Sequence, residues 1–96
     1  MLRITINETP DSAKRLVLEG RLAGVWAQEL DRVWTEAAPR LTSGKLTIDL
    51  HDVTYADSNG KSVLAKIFAR SNAEFHAGSL FTNDLAEEIM RKVKKV

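Results

Sequence analysis

The 96-residue sequence contains no cysteine and only two prolines, and its formal net charge is only +1. The lack of cysteine excludes disulfides, thiol catalysis and cysteine-ligated zinc, and it is typical of a reducing compartment. The near-neutral charge gives no indication of nucleic acid as a partner. No apolar run approaches the length of a membrane span, and Met1 leads directly into an alternating pattern rather than a signal peptide. We therefore expect a cytoplasmic protein with no direct membrane insertion.

Signatures of catalysis and of cofactor binding are also lacking. Ser58 has Asp57 beside it, but a nucleophilic serine needs a base, and nothing in the spacing brings His51 or His76 to Ser58. No glycine precedes Ser58 as a nucleophile elbow requires. The five glycines form neither a Walker A motif nor a dinucleotide fingerprint. We therefore expect no enzymatic activity and no cofactor.

Three aspartates, Asp49, Asp52 and Asp57, lie around the end of an apolar run, where α/β folds often place their sites. A metal site would need their oxygens to converge, whereas Asp52 and His51 fit a turn. A phospho-aspartate receiver would need an acidic pair at the end of its first strand, and residues 6–8 read Ile-Asn-Glu. The pattern therefore favours a solvated strand end.

A single domain, residues 1–96, is indicated by the length and by a composition of 44% hydrophobic and 28% charged residues.

Periods of two and of 3.6 residues predict the order β-β-α-β-α-β-α. The predicted strands are 2–7, 15–19, 45–50 and 73–77, and the first helical pattern covers 22–37. Glu8 and residues 9–12 are predicted as a turn. Strands joined through helices should be parallel, so the fold class is α/β, a small mixed sheet with an N-terminal antiparallel hairpin. Trp26 and Trp34 are predicted to be core residues.

The ends of the helices are predicted from capping residues and proline. Pro39 is expected to close the first helix. Asp57 or Ser58 is expected to cap the second helix, and Thr82 or Asn83 the third. A phosphate on Ser58 would meet the free N–H groups and positive dipole at a helix start, so it would alter the surface rather than the fold.

The segment LTIDLHDVTYADSNGKSVLAKIF, residues 46–68, resembles the signature of STAS domains, the family of anti-sigma factor antagonists and sulfate-transporter tails. That signature is an apolar strand ending in Asp-Leu, a hydrophobic-Asp-Ser-Ser-Gly loop and a helix. Residues 17–30, VLEGRLAGVWAQEL, are similar to the second strand and first helix of that fold. The likeness covers nearly the whole chain in element order, but it is specific only over residues 46–68. It implies a STAS-like fold with helices packed on the sheet.

The resemblance also implies a regulatory function. In family antagonists the serine at the place of Ser58 is phosphorylated by a partner kinase that is itself the anti-sigma factor, and the unphosphorylated domain binds that kinase. Ser58 is accordingly the expected phosphorylation site, for an anti-sigma-factor-like serine kinase. The expected partner-binding residues are Asp57, Ser58, Asn59, Gly60, Lys61, Arg21 and Ala23.

The sequence departs from the family pattern at several of these positions. Asn59 replaces a second serine, and Lys61 stands where a small or apolar residue is common. A Gly-Glu-Leu-Asp stretch, whose acid belongs to the partner surface, is replaced by Gly20-Arg21-Leu22-Ala23. The main alternative is therefore a constitutive STAS-like adaptor or scaffold subunit of a phospholipid-transport ABC assembly or a stress-signalling complex. A homodimer and a small-ligand binder also stay open.

Overall fold

The computed structural model describes residues 1–8, 13–42 and 44–94. The elements in this part of the chain are β1 (Leu2–Glu8), β2 (Lys14–Leu22), α1 (Val25–Leu41), β3 (Leu46–Ala56), α2 (Ser58–Ser71), β4 (Glu74–His76) and α3 (Leu80–Lys94). The predicted element order is confirmed. Of the turn predicted at 8–12, Glu8 ends β1, and residues 9–12 lie outside the described residues.

The four strands form one sheet in the order β1-β2-β3-β4. β1 and β2 are antiparallel, whereas β2 pairs with β3, and β3 with β4, in parallel. The predicted mixed sheet with an antiparallel edge strand is confirmed. Because each parallel strand leads into a helix, α1 and α2 begin at the edge where β2 and β3 end. We call this the helix-start edge, and the opposite one, where the parallel strands begin, the helix-end edge. β4 ends beside Asp49, before the end of β3, so α3 begins farther back along β3.

The hydrophobic core lies between one face of the sheet and the three helices. Its sheet side is formed by leucine and isoleucine side chains with no exposed surface, and its helix side includes Trp34, which is also 0% exposed. Sheet residues with no exposed surface are Leu16, Leu18, Leu22, Ile48 and Leu50. Trp34 is therefore a core residue, as predicted, whereas Trp26 is only partly buried.

The other face of the sheet is polar. Asp49 alternates in β3 with the buried Leu50 and so lies on this face, where Arg15 of β2 donates to it over 2.8 Å. Burial opposes ionisation of Asp49, but the His51 backbone N–H and the Arg15 guanidinium outweigh it and hold the pKa of Asp49 below its ordinary value.

The predictions for the ends of β2 and β3 are wrong. Leu22 ends β2 and is opposite Ala56, so α1 begins only at Val25. β3 continues to Ala56, so His51 and Asp52 lie in a strand and not in a turn. The reason is an irregular register, with shifts at 17–19 and at 20–21 of β2. Buried positions in β3 are consequently spaced by two and then by three residues, which hides the strand period: Leu46, Ile48, Leu50, Val53 and Ala56.

The prediction that Pro39 closes α1 is also wrong, because the helix continues to Leu41. Proline lacks the N–H that would bond to the Thr35 carbonyl, which costs a helical hydrogen bond. Leu41 is 0% exposed, and burial of this side chain offsets that cost. Thr42 then closes the helix, since its N–H and its hydroxyl both donate to the Ala38 carbonyl, over 2.9 and 2.7 Å.

The cap of α3 is Ser79, not Thr82 or Asn83 as predicted. The Ser79 side chain accepts from the Thr82 N–H over 3.1 Å, and the Thr82 hydroxyl accepts from the Ser79 N–H over 3.0 Å. This reciprocal pair is a capping box. It starts the helix at Leu80, two residues before Thr82, the first of the two predicted caps. The short fourth strand is confirmed, within the predicted range.

Candidate functional site

Asp57 holds two loops of the helix-start edge together. Its Oδ1 accepts from the Gly60 N–H over 2.8 Å and its Oδ2 accepts from the Gly24 N–H over 3.0 Å. Its own N–H donates to the Leu22 carbonyl over 3.2 Å. Asp57 is therefore the cap of α2 and also ties the β3–α2 junction to the β2–α1 junction, which leaves the Ser58 hydroxyl free of any capping role.

The ionisation of Asp57 follows from these bonds. The backbone N–H groups of Gly60 and Gly24 donate to its carboxylate and hold the pKa of Asp57 below its ordinary value. The side chain is thus an anion at neutral pH, at the positive end of the α2 dipole. A fixed negative charge therefore lies directly beside Ser58.

Gly60 allows α2 to approach β2 closely. The residue is buried, and a Cβ added to it would collide with the Leu22 carbonyl oxygen and lie 2.8 Å from the Leu22 Cγ. Gly24, the other residue bonded to Asp57, has a φ of +57°, which favours glycine. Both glycines at this junction are consequently required by its geometry.

Ser58 is the first residue of α2, and its side chain is exposed. Asn59 follows it and is also exposed. Among the described residues no hydrogen-bond partner of the Ser58 hydroxyl is found, in contrast to the engaged carboxylate of Asp57. The hydroxyl is therefore accessible to a modifying enzyme without any change in the capping of the helix.

The remaining predicted site residues have different surroundings. Ala23 is partly buried and directly precedes Gly24, so it lies with Asp57 and Ser58. The Arg21 guanidinium stacks over the Tyr55 ring, 4.6 Å from its centroid. The Lys61 ammonium pairs with Glu88 of α3 over 3.2 Å. Lys61 therefore links two helices, which its sequence context does not indicate.

Large apolar side chains are exposed around this site, and sequence reasoning did not identify them. We call them the apolar rim: Met1 (83% exposed), Val25 (68%) and Tyr55 (42%). All three lie at the helix-start edge, because β1 begins there, β3 ends there and α1 starts there. Leu80 (81%) and Phe81 (41%) are also exposed, but they begin α3, which follows β4 beside the middle of β3.

Metal binding and membrane spanning find no structural support in the described part of the chain. Within it, no three His, Cys, Asp or Glu side chains are grouped so as to hold a metal ion. None of the helices in residues 1–8, 13–42 and 44–94 combines the length and apolar character that crossing a bilayer requires.

Comparison with known proteins gives one informative result. No protein-family model matches the chain, and no curated protein matches its sequence. Among solved structures, the anti-sigma factor antagonist SpoIIAA in its unphosphorylated form is similar, with a TM-score of 0.64 and 11% identity. The match covers 98% of this chain and 100% of that chain. The chain therefore has the STAS fold that SpoIIAA has, as its 46–68 motif predicts.

Proposed function

We propose that this chain is a non-enzymatic regulatory domain that binds a protein partner at the helix-start edge, with Ser58 as a reversible phosphorylation site for a partner serine kinase. The observation that carries this proposal is the division of tasks between Asp57 and Ser58. Asp57 accepts the capping bond from Gly60 and a second bond from Gly24, so the exposed Ser58 hydroxyl can be modified without loss of the helix cap.

The chemistry of the site makes phosphorylation an effective switch for binding. A phosphate adds about −1.5 to −2 charges beside the Asp57 carboxylate, which is already ionised. The helix start tolerates these charges, but a docked surface would have to desolvate them. Phosphorylation is thus expected to leave the domain folded and to release the partner.

The apolar rim supports a protein as the partner. Exposed apolar side chains gathered in one region mark interaction surfaces more often than single scattered ones do. Val25 follows Gly24, which donates to Asp57, and Tyr55 precedes Asp57 by two residues at the end of β3, so both lie near Ser58. A partner that covers Ser58 would therefore also bury these side chains.

A constitutive adaptor is the second candidate, and one observation favours it. The chain has Ala23 where family antagonists carry an acid for the partner, and it adds Arg21, stacked on Tyr55. A partner with a basic contact surface would lose an ion pair here. An adaptor would use the same apolar rim without any control by Ser58.

The test is capture of partners from native-host lysate by the C-terminally tagged protein, as wild type, Ser58→Asp and Ser58→Ala. Ser62→Asp is the matched control, because Ser62 is also exposed on α2 but lies one turn beyond the helix start. We expect wild type, Ser58→Ala and Ser62→Asp to capture a kinase-type ATPase, and Ser58→Asp to capture about tenfold less or none. The captured ATPase should add one phosphate to wild type and none to Ser58→Ala, as measured by intact mass.

Two results would contradict the proposal. Equal capture of the partner by wild type and Ser58→Asp, with both variants folded by circular dichroism, would make Ser58 a simple surface residue and favour the adaptor. Phosphate on a residue other than Ser58 would move the switch elsewhere in the chain.

A further inference from the structure

β1 is the first strand of the sheet, and in the described part of the chain it has a neighbouring strand on one side only. The Arg21 N–H of β2 donates to the Met1 carbonyl over 3.0 Å. In an antiparallel pair such bonded positions alternate with open ones, so the odd-numbered residues of β1 bond to β2. The backbone groups of Leu2, Ile4 and Ile6 therefore point away from the sheet, and we call them the free side of β1.

The two outer strands of the sheet differ in how well they are protected against pairing with another chain. Proteins commonly protect an outer strand by making it short or by placing proline, lysine or a bulge in it. β4 (Glu74–His76) has three residues, whereas β1 (Leu2–Glu8) has seven. β1 contains neither proline nor lysine, and its register against β2 is regular. Among the described residues, no hydrogen bond reaches the free side of β1.

The side chains of Ile4 and Ile6 add apolar surface to this free side. Both are partly buried and pack against the core. Their partners in β2, Leu18 and Leu16, are 0% exposed. The surface that the two isoleucines still expose therefore lies away from β2, where an added strand would cover it.

A second copy of β1 is complementary to the first when the two strands run antiparallel about a two-fold axis at Thr5. Ile4 then lies opposite Ile6 of the second copy, so their free N–H and C=O groups bond to each other. Arg3 lies opposite Asn7, whose side-chain oxygen can accept from the guanidinium. The two Thr5 side chains meet on the axis, and threonine pairs are favourable across strands.

The charges of β1 favour this antiparallel arrangement. A parallel pair in register would place Arg3 opposite Arg3 and Glu8 opposite Glu8, and like charges directly opposite are destabilising. In the antiparallel register no two like charges of the strand are opposite. Glu8 comes opposite Leu2 at each end of the pair, and its carboxylate stays with Arg40, 3.0 Å away.

We propose that the chain forms a two-fold symmetric homodimer in which the two β1 strands pair antiparallel and join two four-stranded sheets into one of eight strands. A contact in which the same surface serves on both copies closes with two copies. Ser58 lies on α2 and is not part of this contact, so the dimer is independent of the proposed phosphorylation.

Thr5→Lys tests the axis, because it places two ammonium groups opposite each other. Thr5 is exposed, so the fold should persist, as circular dichroism can verify. Thr54→Lys is the matched control, since it makes the same change at an exposed position of β3. In sedimentation equilibrium of the whole chain we expect wild type and Thr54→Lys to dimerise alike. Thr5→Lys should raise the dimer dissociation constant about tenfold or more.

Thr5→Cys tests the register, since the chain has no other cysteine. The two Cα atoms on the axis should be about 4.5 Å apart, which is within the reach of a disulfide. We expect the oxidised variant to form a covalent dimer on a non-reducing gel. Arg3→Cys is the control on the same face of the same strand. Its two copies should be about 13 Å apart and should not cross-link.

Three results would each overturn the proposal. A wild type that stays monomeric up to millimolar concentration would leave the free side of β1 to a different chain. Equal dissociation constants of wild type and Thr5→Lys would place the dimer contact elsewhere. Equal cross-linking of Arg3→Cys and Thr5→Cys would exclude a two-fold axis at Thr5.

Discussion

The helix-start edge exposes large apolar side chains beside polar ones, whereas the helix-end edge carries ion pairs between long charged side chains. Three of the five large apolar residues that are exposed in the described part of the chain belong to the apolar rim. The helix-end edge carries ion pairs of Arg40 with Glu8 over 3.0 Å and of Lys45 with Glu74 over 3.5 Å. Exposed ion pairs contribute little to stability, but they keep a surface solvated. The difference indicates that one edge is suited to contact and the other to solvent.

The two edges are also held together differently. The helix-end edge joins helix and strand ends through long, exposed side chains. At the helix-start edge the connection is the short Asp57 side chain, bonded to backbone on both sides, with Gly60 against Leu22. Such a base holds the junction through backbone contacts, and it leaves the outer apolar side chains free for a partner.

Among substitutions that test this difference between the edges, Gly60→Ala is expected to have the largest effect, a loss of stability at the helix-start edge. The added Cβ would collide with the Leu22 carbonyl and force α2 away from β2. We expect a loss of about 2–3 kcal/mol in the free energy of unfolding, measured with urea.

Ser62→Ala is the control for this substitution, since it changes an exposed position of the same helix. We expect it to alter the free energy of unfolding by no more than about 0.5 kcal/mol. A Gly60→Ala protein as stable as Ser62→Ala would show that the junction is not tightly packed, and the contrast between the edges would fail.

An intermediate effect, on binding alone, is expected from Val25→Glu. Val25 is 68% exposed, so stability should be unchanged, but a charge in the apolar rim should weaken partner capture about tenfold. Lys45→Gln changes the net charge by the same amount at the helix-end edge and should not affect capture. If both variants captured equally less partner, binding would depend on the net charge of the domain and not on contact with the apolar rim.

The smallest effect is expected from Asp57→Asn, and it depends on pH. The folded state holds the pKa of Asp57 below its ordinary value of 3.8, so the stabilisation is complete above that pH and is lost as pH falls through the folded pKa. Asparagine can still accept from Gly60, but its amide cannot accept from Gly24 in addition.

We therefore expect Asp57→Asn to melt a few degrees below wild type at neutral pH, and this difference to shrink on acidification below about pH 4. Thermal melts followed by circular dichroism across this range provide the measurement. A difference that stays constant with pH would show that the charge of Asp57 does not contribute to holding the two loops.

The regular strands and helices were predictable because the spacing of their apolar residues can be read within a short stretch of sequence. Alternation at Leu16 and Leu18 and at Leu46, Ile48 and Leu50 identified strands, and the connection through helices fixed the parallel pairing. Beyond Leu50 the register shift against β2 spaces the buried residues by three, and the alternation no longer indicates a strand. The length of β3 therefore depends on a partner strand that local sequence does not reveal.

The candidate site was predictable only in part, for a similar reason. Asp57 and Ser58 are both good caps, and which one caps α2 depends on Gly24, a residue 33 positions away from Asp57. The apolar rim comes from three separate segments, so no local pattern contains it. Lys61 and Arg21 were expected to contact a partner, but their pairing with Glu88 and Tyr55 requires the folded sheet and helices.

The position of Met1 has a practical consequence for protein engineering. Its carbonyl accepts from the Arg21 N–H over 3.0 Å, which anchors the start of the chain beside the apolar rim. An affinity tag or fluorescent protein fused ahead of Met1 would emerge across the surface where a partner is expected to dock, and could block it sterically. A fusion after α3, which runs away from that edge, avoids this obstruction and is the appropriate format for interaction screens.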